Sequence, residues 1–368
     1  MKYIKYLIFY SYILGFFTSI HAEYNHISGC VVPEEEPSSA LEFFLYPNEL
    51  EAYLLRDYLK EQEGILISVG TFRTLFNATM GNFTRIIMLD NDELINKFNK
   101  ANLDLISLIG QSPWSTLQQR LVYAALLAQR QFSIQDIDLV IASTHPPSFA
   151  NQIQNLLSLL KKRSVFPKEQ PIIDPSLGAD LNGRLSEAIG RFMGVGADSQ
   201  KNRVYDLEDL SEINASMTFW HSDEAWQKIQ TLLADNRISV VMGDLKGQKT
   251  LKGIRNCLNQ VGFENTPLLF DVSNALDYFI DNKSDYQKFI DNISLFNNRR
   301  VTILLTSKRL MKTSSWVYFS VPGILISDWP TTSGRIAKSN SNSVIELFRI
   351  LQIVPSNKRV FIVGNPTQ

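Results

Sequence analysis

Gly70 and Asp90 are the two residues whose types and spacing most directly suggest chemistry. Ile65 to Val69 is a short apolar run rich in β-branched residues, as expected of a buried parallel strand. Gly70 follows at once, where a backbone must turn sharply or let a ligand approach. Thr71 is placed to cap a helix that begins near Arg73. Arg85 to Leu89 predicts a second buried strand, and Asp90 stands at its C-terminal end. In a nucleotide-binding βαβ unit a carboxylate about 20 residues after the glycine turn reaches the ribose hydroxyls. The full glycine pattern of a dinucleotide site is missing. Arg73 and Phe76 fall near the later glycine positions, and their bulk would hold a pyrophosphate away. S-adenosylmethionine carries no pyrophosphate and tolerates a looser first turn. The plain alternative is an ordinary βαβ crossover with a surface aspartate.

In an open α/β sheet, ligands bind outside the carboxyl ends of the strands. That rule adds Asp92, Gly243, Asp244, Asp271, Ser273, Asn274 and Thr306 to Lys308 to the candidates. Asp92 precedes a helix by one residue and reads as its cap. Asp244 suits a helix N-cap equally well, and so do Asp271 and Asn274. Asn99 and Asn102 share a helical face, either bonded back to the sheet edge or solvated. His221 beside Trp220 could act as a base in a closing loop, although a lone histidine is more often structural. No nucleophile elbow is visible, which argues against a hydrolase.

The stretches ISVGT at 67–71, IIMLDND at 86–92 and the asparagines of FNKANLDLI at 98–106 resemble a family of uncharacterised bacterial proteins. Its fold is like that of S-adenosylmethionine-dependent methyltransferases. The likeness resumes at ISVVMGDL, 238–245, and at LLFDVSNA, 268–275. It implies S-adenosylmethionine as cofactor, with Gly70 and Thr71 at the first turn, Asp90 on the ribose hydroxyls and Asp244 near the adenine amine. It also puts Asp271 and Asn274 where substrate and methyl group meet, as the candidate catalytic residues. One departure is Phe72, where the family pattern has an acid near the methionine end.

The chain's other features bear on where it acts. Lys2 and Lys5, the apolar run Tyr6 to Ile20 and the small residue Ala22 form a signal peptide over residues 1–22. The run is short for a membrane span, so no stable span is expected after cleavage, and the protein is expected to be exported, periplasmic or secreted; the alternative is an uncleaved anchor. Ser28-Gly29-Cys30 resembles a lipoprotein box, but polar residues separate it from the apolar run. Cys30 and Cys257 are the two cysteines; in an exported protein they suit a disulfide, and Cys257 equally suits a buried thiol. The four histidines lack ligand spacing, so no metal is expected. Net charge is −1, without a basic stripe, which gives no indication of nucleic acid as a partner. Five N-x-S/T sequons, among them Asn77, Asn82 and Asn292, read as chance products of an Asn-rich chain.

The elements that would position these residues form an α/β domain over 63–368. The expected architecture is an open, mostly parallel sheet like that of class I methyltransferases, with helices on both faces. A largely helical insertion is expected over 112–235. Residues 23–62 form an N-terminal segment, linker-like through EEEPSS at 34–39, followed by helices. Further strands are expected at 238–242, 268–272 and 301–305, with 316–321 and 359–363 as an antiparallel edge. The functional expectation is an exported S-adenosylmethionine-binding, methyltransferase-like protein whose acceptor is unknown. The alternative is a non-enzymatic interaction protein that keeps the fold, such as a secreted effector. N-terminal sequencing of the exported protein is expected to find Glu23 first; an intact Met1 would remove the signal peptide.

Overall fold

The computed structural model describes residues 24–37, 55–111, 222–307, 317–330, 353–357 and 360–363, together with residues 115, 116, 119, 123 and 219. The expected signal peptide at residues 1–22, His221 and most of the expected insertion lie outside the described residues. Two short strands, β1 (His26–Ile27) and β2 (Cys30–Val31), form a hairpin near the N-terminus. Then come α1 (Arg56–Lys60), β3 (Glu63–Val69), α2 (Phe72–Met80), β4 (Asn82–Asp90) and α3 (Glu93–Gly110). The chain resumes with α4 (Asp223–Ala234), β5 (Ile238–Met242), α5 (Gln248–Gln260), β6 (Leu268–Ser273), α6 (Leu276–Phe279), α7 (Lys283–Ser294) and β7 (Val301–Ser307). It ends with β8 (Val317–Pro322), a 3₁₀ turn at Gly323–Asp328, β9 (Ile353–Asn357) and β10 (Val360–Val363).

The class is α/β. Eight strands form one sheet in the order β5-β4-β3-β6-β7-β8-β10-β9. The first five run parallel. The chain builds outward from β3 to β4 to β5, then returns across β3 to place β6 and β7 on its other side. The direction of winding therefore reverses between β3 and β6. The far edge differs from the expected antiparallel pair. β8 runs antiparallel to β7, β10 lies parallel to β8, and β9 closes the sheet antiparallel to β10.

Alternation along the strands divides the side chains between two faces. Ile65, Ile67, Ile87, Leu89, Phe270, Val272, Ile303 and Leu305 point to the face covered by α5 and α7. Leu66, Ile86, Met88 and Val240 are buried on the opposite face, where α4 packs on α2 and α3. Both faces are covered, so the strands read as unbroken apolar runs rather than alternating ones.

The N-terminal segment is not a linker. Tyr24, Ile27 and Val32 are buried, and Cys30 is disulfide-bonded to Cys257 on α5. Asn77 and Asn292 are buried as well, so neither sequon is open to glycosylation. No helix among the described residues is long and apolar enough to cross a membrane.

Ile67 is fully buried on the central strand. Ile67→Ala is expected to cost about 2–5 kcal/mol of stability, read as a lowered midpoint in denaturant unfolding with unchanged slope.

Candidate functional site

The carboxyl ends of β3, β4, β5 and β6 gather most of the candidates. Ser68 of β3 pairs with Asp271 of β6, so Gly70 and Ser273, each two residues on, leave the sheet side by side at the reversal of winding. Gly70 has φ +94°, and a Cβ built there meets nothing within 4 Å. The position is open above and conformationally suited to glycine. Ser273 holds φ +52°, rare for a residue with a side chain, beside a break in the β6–β7 register.

Thr71 occupies the N-cap position of α2, which begins at Phe72. Its hydroxyl does not cap the helix, contrary to the sequence expectation, and is buried without a hydrogen-bond partner. Backbone N–H groups of a helix's first turn have no partners within the helix. Phe72 is buried with its ring 6.1 Å from that of Phe98.

Asp90 ends β4 with only 7% of its surface exposed. Its Oδ1 accepts from Asp92 N at 2.9 Å. Burial pushes its carboxyl up to about 7; the backbone N–H groups of Asp92 and Asn91 oppose the rise, and the Asp92 charge adds to it. Because the folded value exceeds the ordinary one, the stability tied to this group is full at low pH and is lost as pH rises through 7. Asp92 is the expected cap, its Oδ1 accepting from Ile95 N at 3.3 Å. Asn96, which sequence reasoning missed, makes the bond back to the sheet. Its amide donates to the carbonyls of Asp90 and Asp92 at 2.8 and 2.9 Å. Asn102 and Asn99 are instead fully buried. Asn102 Oδ1 accepts from Tyr123 Oη at 2.7 Å, and the Asn99 side chain has no hydrogen-bond partner.

Asp271 does not face a substrate. It is 0% exposed, and its oxygens are fully engaged. Arg73 Nε and Nη2 donate to it at 2.6 and 2.8 Å, Ser68 Oγ at 3.2 Å and Ser273 N at 3.1 Å. The Asn77 amide donates to it too. The Arg73 guanidinium also lies 5.8 Å from the centre of the Tyr318 ring. Asp271 therefore joins β6 to β3 and α2 and holds the Ser273 turn beside Gly70. Neither Asp271 nor Asn274 caps α6, which starts after Ala275 without a side-chain cap.

Asp244 follows β5 and is tied into its own loop, its Oδ1 accepting from Lys246 N at 2.9 Å. The N-cap of α5 is Gly247 rather than Asp244. A carboxylate from the N-terminal segment serves that helix instead. Glu35 Oε1 accepts from Lys249 N at 3.0 Å and Oε2 from Asp244 N at 2.7 Å. The EEEPSS run hides this partner because 214 residues separate Glu35 from Lys249. No group of three or more His, Cys, Asp or Glu suited to a metal occurs among the described residues.

Residues 180–327 match a family model described as a domain of unknown function (DUF7790). The match takes in Asp244, Cys257, Asp271 and Asn274 and leaves out Gly70 and Asp90. No curated protein matches the chain.

Removing one partner of the buried ion pair leaves an uncompensated charge. Asp271→Ala is expected to destabilise by about 3–5 kcal/mol. The double variant Arg73→Met, Asp271→Leu should recover part of that loss. Chemical denaturation of the two variants beside wild type measures both.

Proposed function

We propose that the crevice between β3 and β6, walled by Asp90 on β4, binds a phosphate-free nucleoside ligand, with S-adenosylmethionine the leading candidate. One observation carries this reading. The open Gly70 turn stands beside the strained Ser273 turn at the reversal of winding, over an uncapped helix start with an unpartnered Thr71 hydroxyl. Ligands of open α/β sheets bind at such reversals, and an orphaned buried hydroxyl gains a partner when a ligand arrives.

Charge selects the ligand class. Asp90, Asp92, Asp244, Glu34 and Glu35 cluster at the β4 and β5 ends. Lys246, in the loop after β5, is paired with Asp285 at 3.2 Å. Phosphate would meet like charge there, whereas a neutral nucleoside or a sulfonium cation would not. Asp90 accepts the two ribose hydroxyls, the open Gly70 turn admits close approach, and Thr71 and Asn274 serve the end of the ligand nearest β6. When bound, S-adenosylmethionine supplies an activated methyl that needs little beyond alignment with a nucleophile. The complete burial of Asp271 favours a second reading, binding without transfer, since this carboxylate has no free oxygen to present to an acceptor. The Cys30–Cys257 disulfide supports an oxidising compartment. That agrees with the export expected from the N-terminal sequence.

Calorimetric titration of the mature protein with S-adenosylmethionine, its demethylated product and adenosine tests the reading. Asp90→Ala is expected to weaken binding by about 1.5–3 kcal/mol, the scale of hydrogen bonds to a charged group, and Asp90→Asn by less. Ribose hydroxyls need the ionised carboxylate, so affinity should rise with pH and level off above about 7. Absence of affinity for all three compounds removes the nucleoside reading.

A further inference from the structure

β5 is the last strand on its side of the sheet, and its outer edge is closed by the chain's own N-terminal segment. Tyr24 O accepts from Val240 N at 2.8 Å, and Ser239 Oγ donates to His26 O at 2.6 Å. Farther along, Glu35 N donates to Met242 O at 3.2 Å while Glu34 Oε1 accepts from Met242 N at 3.0 Å. Residues 24–35 thus satisfy backbone groups of β5 that an edge strand otherwise offers to any passing chain. The helix next to that edge is shaped for the same segment. Side chains at Gly247 and Gly253 would collide with Glu35 and Pro33, and Thr250 Oγ1 donates to Pro33 O at 3.1 Å. Ile27 and Val32 are buried against the core. Arg85 Nη2 donates to Ser28 Oγ at 2.6 Å.

The partners named above lie on β4, β5, α5 and the loop between β5 and α5, so a second copy offers the same seat. Residues 38–54 join the segment to α1. One covalent bond, Cys30–Cys257, holds the segment to its own chain. We propose that residues 24–37 are an exchangeable strap. Once that disulfide is reduced, the β5 edge accepts the same segment from a second copy of this chain, and reoxidation locks the exchanged dimer. The balance is simple. A thiol reductant gives two electrons and becomes a disulfide, while Cys30 and Cys257 each take a proton. Reoxidation forms an interchain Cys30–Cys257 bond, passing two electrons and two protons to a disulfide oxidant such as oxidised glutathione. The strap's own seat has the advantage of high effective concentration, so exchange is a feature of concentrated reduced protein.

Full-length mature chains carrying Cys30→Ser and Cys257→Ser are mixed and treated with oxidised glutathione. Each holds one cysteine, so neither can close its own strap. Exchange predicts a heterodimer joined Cys30 to Cys257, exceeding Cys30–Cys30 dimers by about tenfold on a non-reducing gel. Cys257 lies buried beneath the strap and is reached only by a segment seated there. Adding Glu35→Ala to the Cys257→Ser chain should cut the heterodimer yield. Formation of Cys30–Cys30 dimers alone, or of no covalent dimer, overturns the proposal. If either single variant loses its native circular dichroism, ¹⁵N-labelled and unlabelled wild type are reduced, mixed and reoxidised instead. Cross-linked peptides carrying one label support exchange; only uniformly labelled or unlabelled pairs overturn it.

Discussion

Asp271 is the group on which the geometry of the crevice depends. Burying a carboxylate and a guanidinium costs several kcal/mol per ion before their attraction is counted. Here the cost is offset by paired N–H donation from Arg73 together with the hydroxyl of Ser68, the amide of Asn77 and the backbone N–H of Ser273. These donors come from β3, α2 and the turn after β6, and Tyr318 adds the face of a β8 ring. One carboxylate thus fixes how α2 sits on the sheet and why Ser273 stays at φ +52°. A hydrophobic pair of similar volume could fill the space. It could not accept the Ser273 N–H, so the turn at the mouth of the crevice would lose its restraint. This is why Asp271 is better described as a positioning group than as one that meets a substrate.

Asp90 has the opposite arrangement. It is nearly as buried but lacks a cation, and its bonds run to backbone N–H groups. Burial therefore dominates and its carboxyl is pushed up to about 7. Two aspartates on the strands that flank β3 are driven apart in role by their surroundings. One is neutralised by Arg73 and locked; the other is left as the group whose charge a ligand's hydroxyls would stabilise.

What was legible in the sequence follows the range of the interactions. The strands at Ile65–Val69, Arg85–Leu89, Ile238–Met242 and Leu268–Val272 announce themselves because burial on both faces demands unbroken apolar runs. Asp92 as a cap is readable because its partner, Ile95, is three residues away. Long-range partners were not readable. Asp271 and Arg73 are 198 residues apart, and neither has a local pattern that names the other. The acidic EEEPSS run has a linker's composition, yet two of its glutamates bond to backbone more than 200 residues on. Thr71 failed as a cap because cap position and cap bond are separate facts. The residue stands in the right place and its hydroxyl remains unpartnered.

The strap and the crevice meet at β5. Met242 pairs with Asp90 in register, and Gly243 N donates to Asp90 O at 2.9 Å. On the other side Glu34 and Glu35 hold Met242, Asp244 and Lys249. The loop after β5 is therefore gripped from both sides, by the tip of β4 and by the N-terminal segment. Loosening the strap would free that loop while leaving Gly70, Thr71 and Ser273 anchored through Asp271. The crevice thus has a rigid wall at β3 and β6. Its second wall, at β5, owes its position to a segment fastened by one disulfide. The base of a bound nucleoside would lie against that second wall, so the oxidation state of Cys30 and Cys257 would govern base recognition more than ribose recognition.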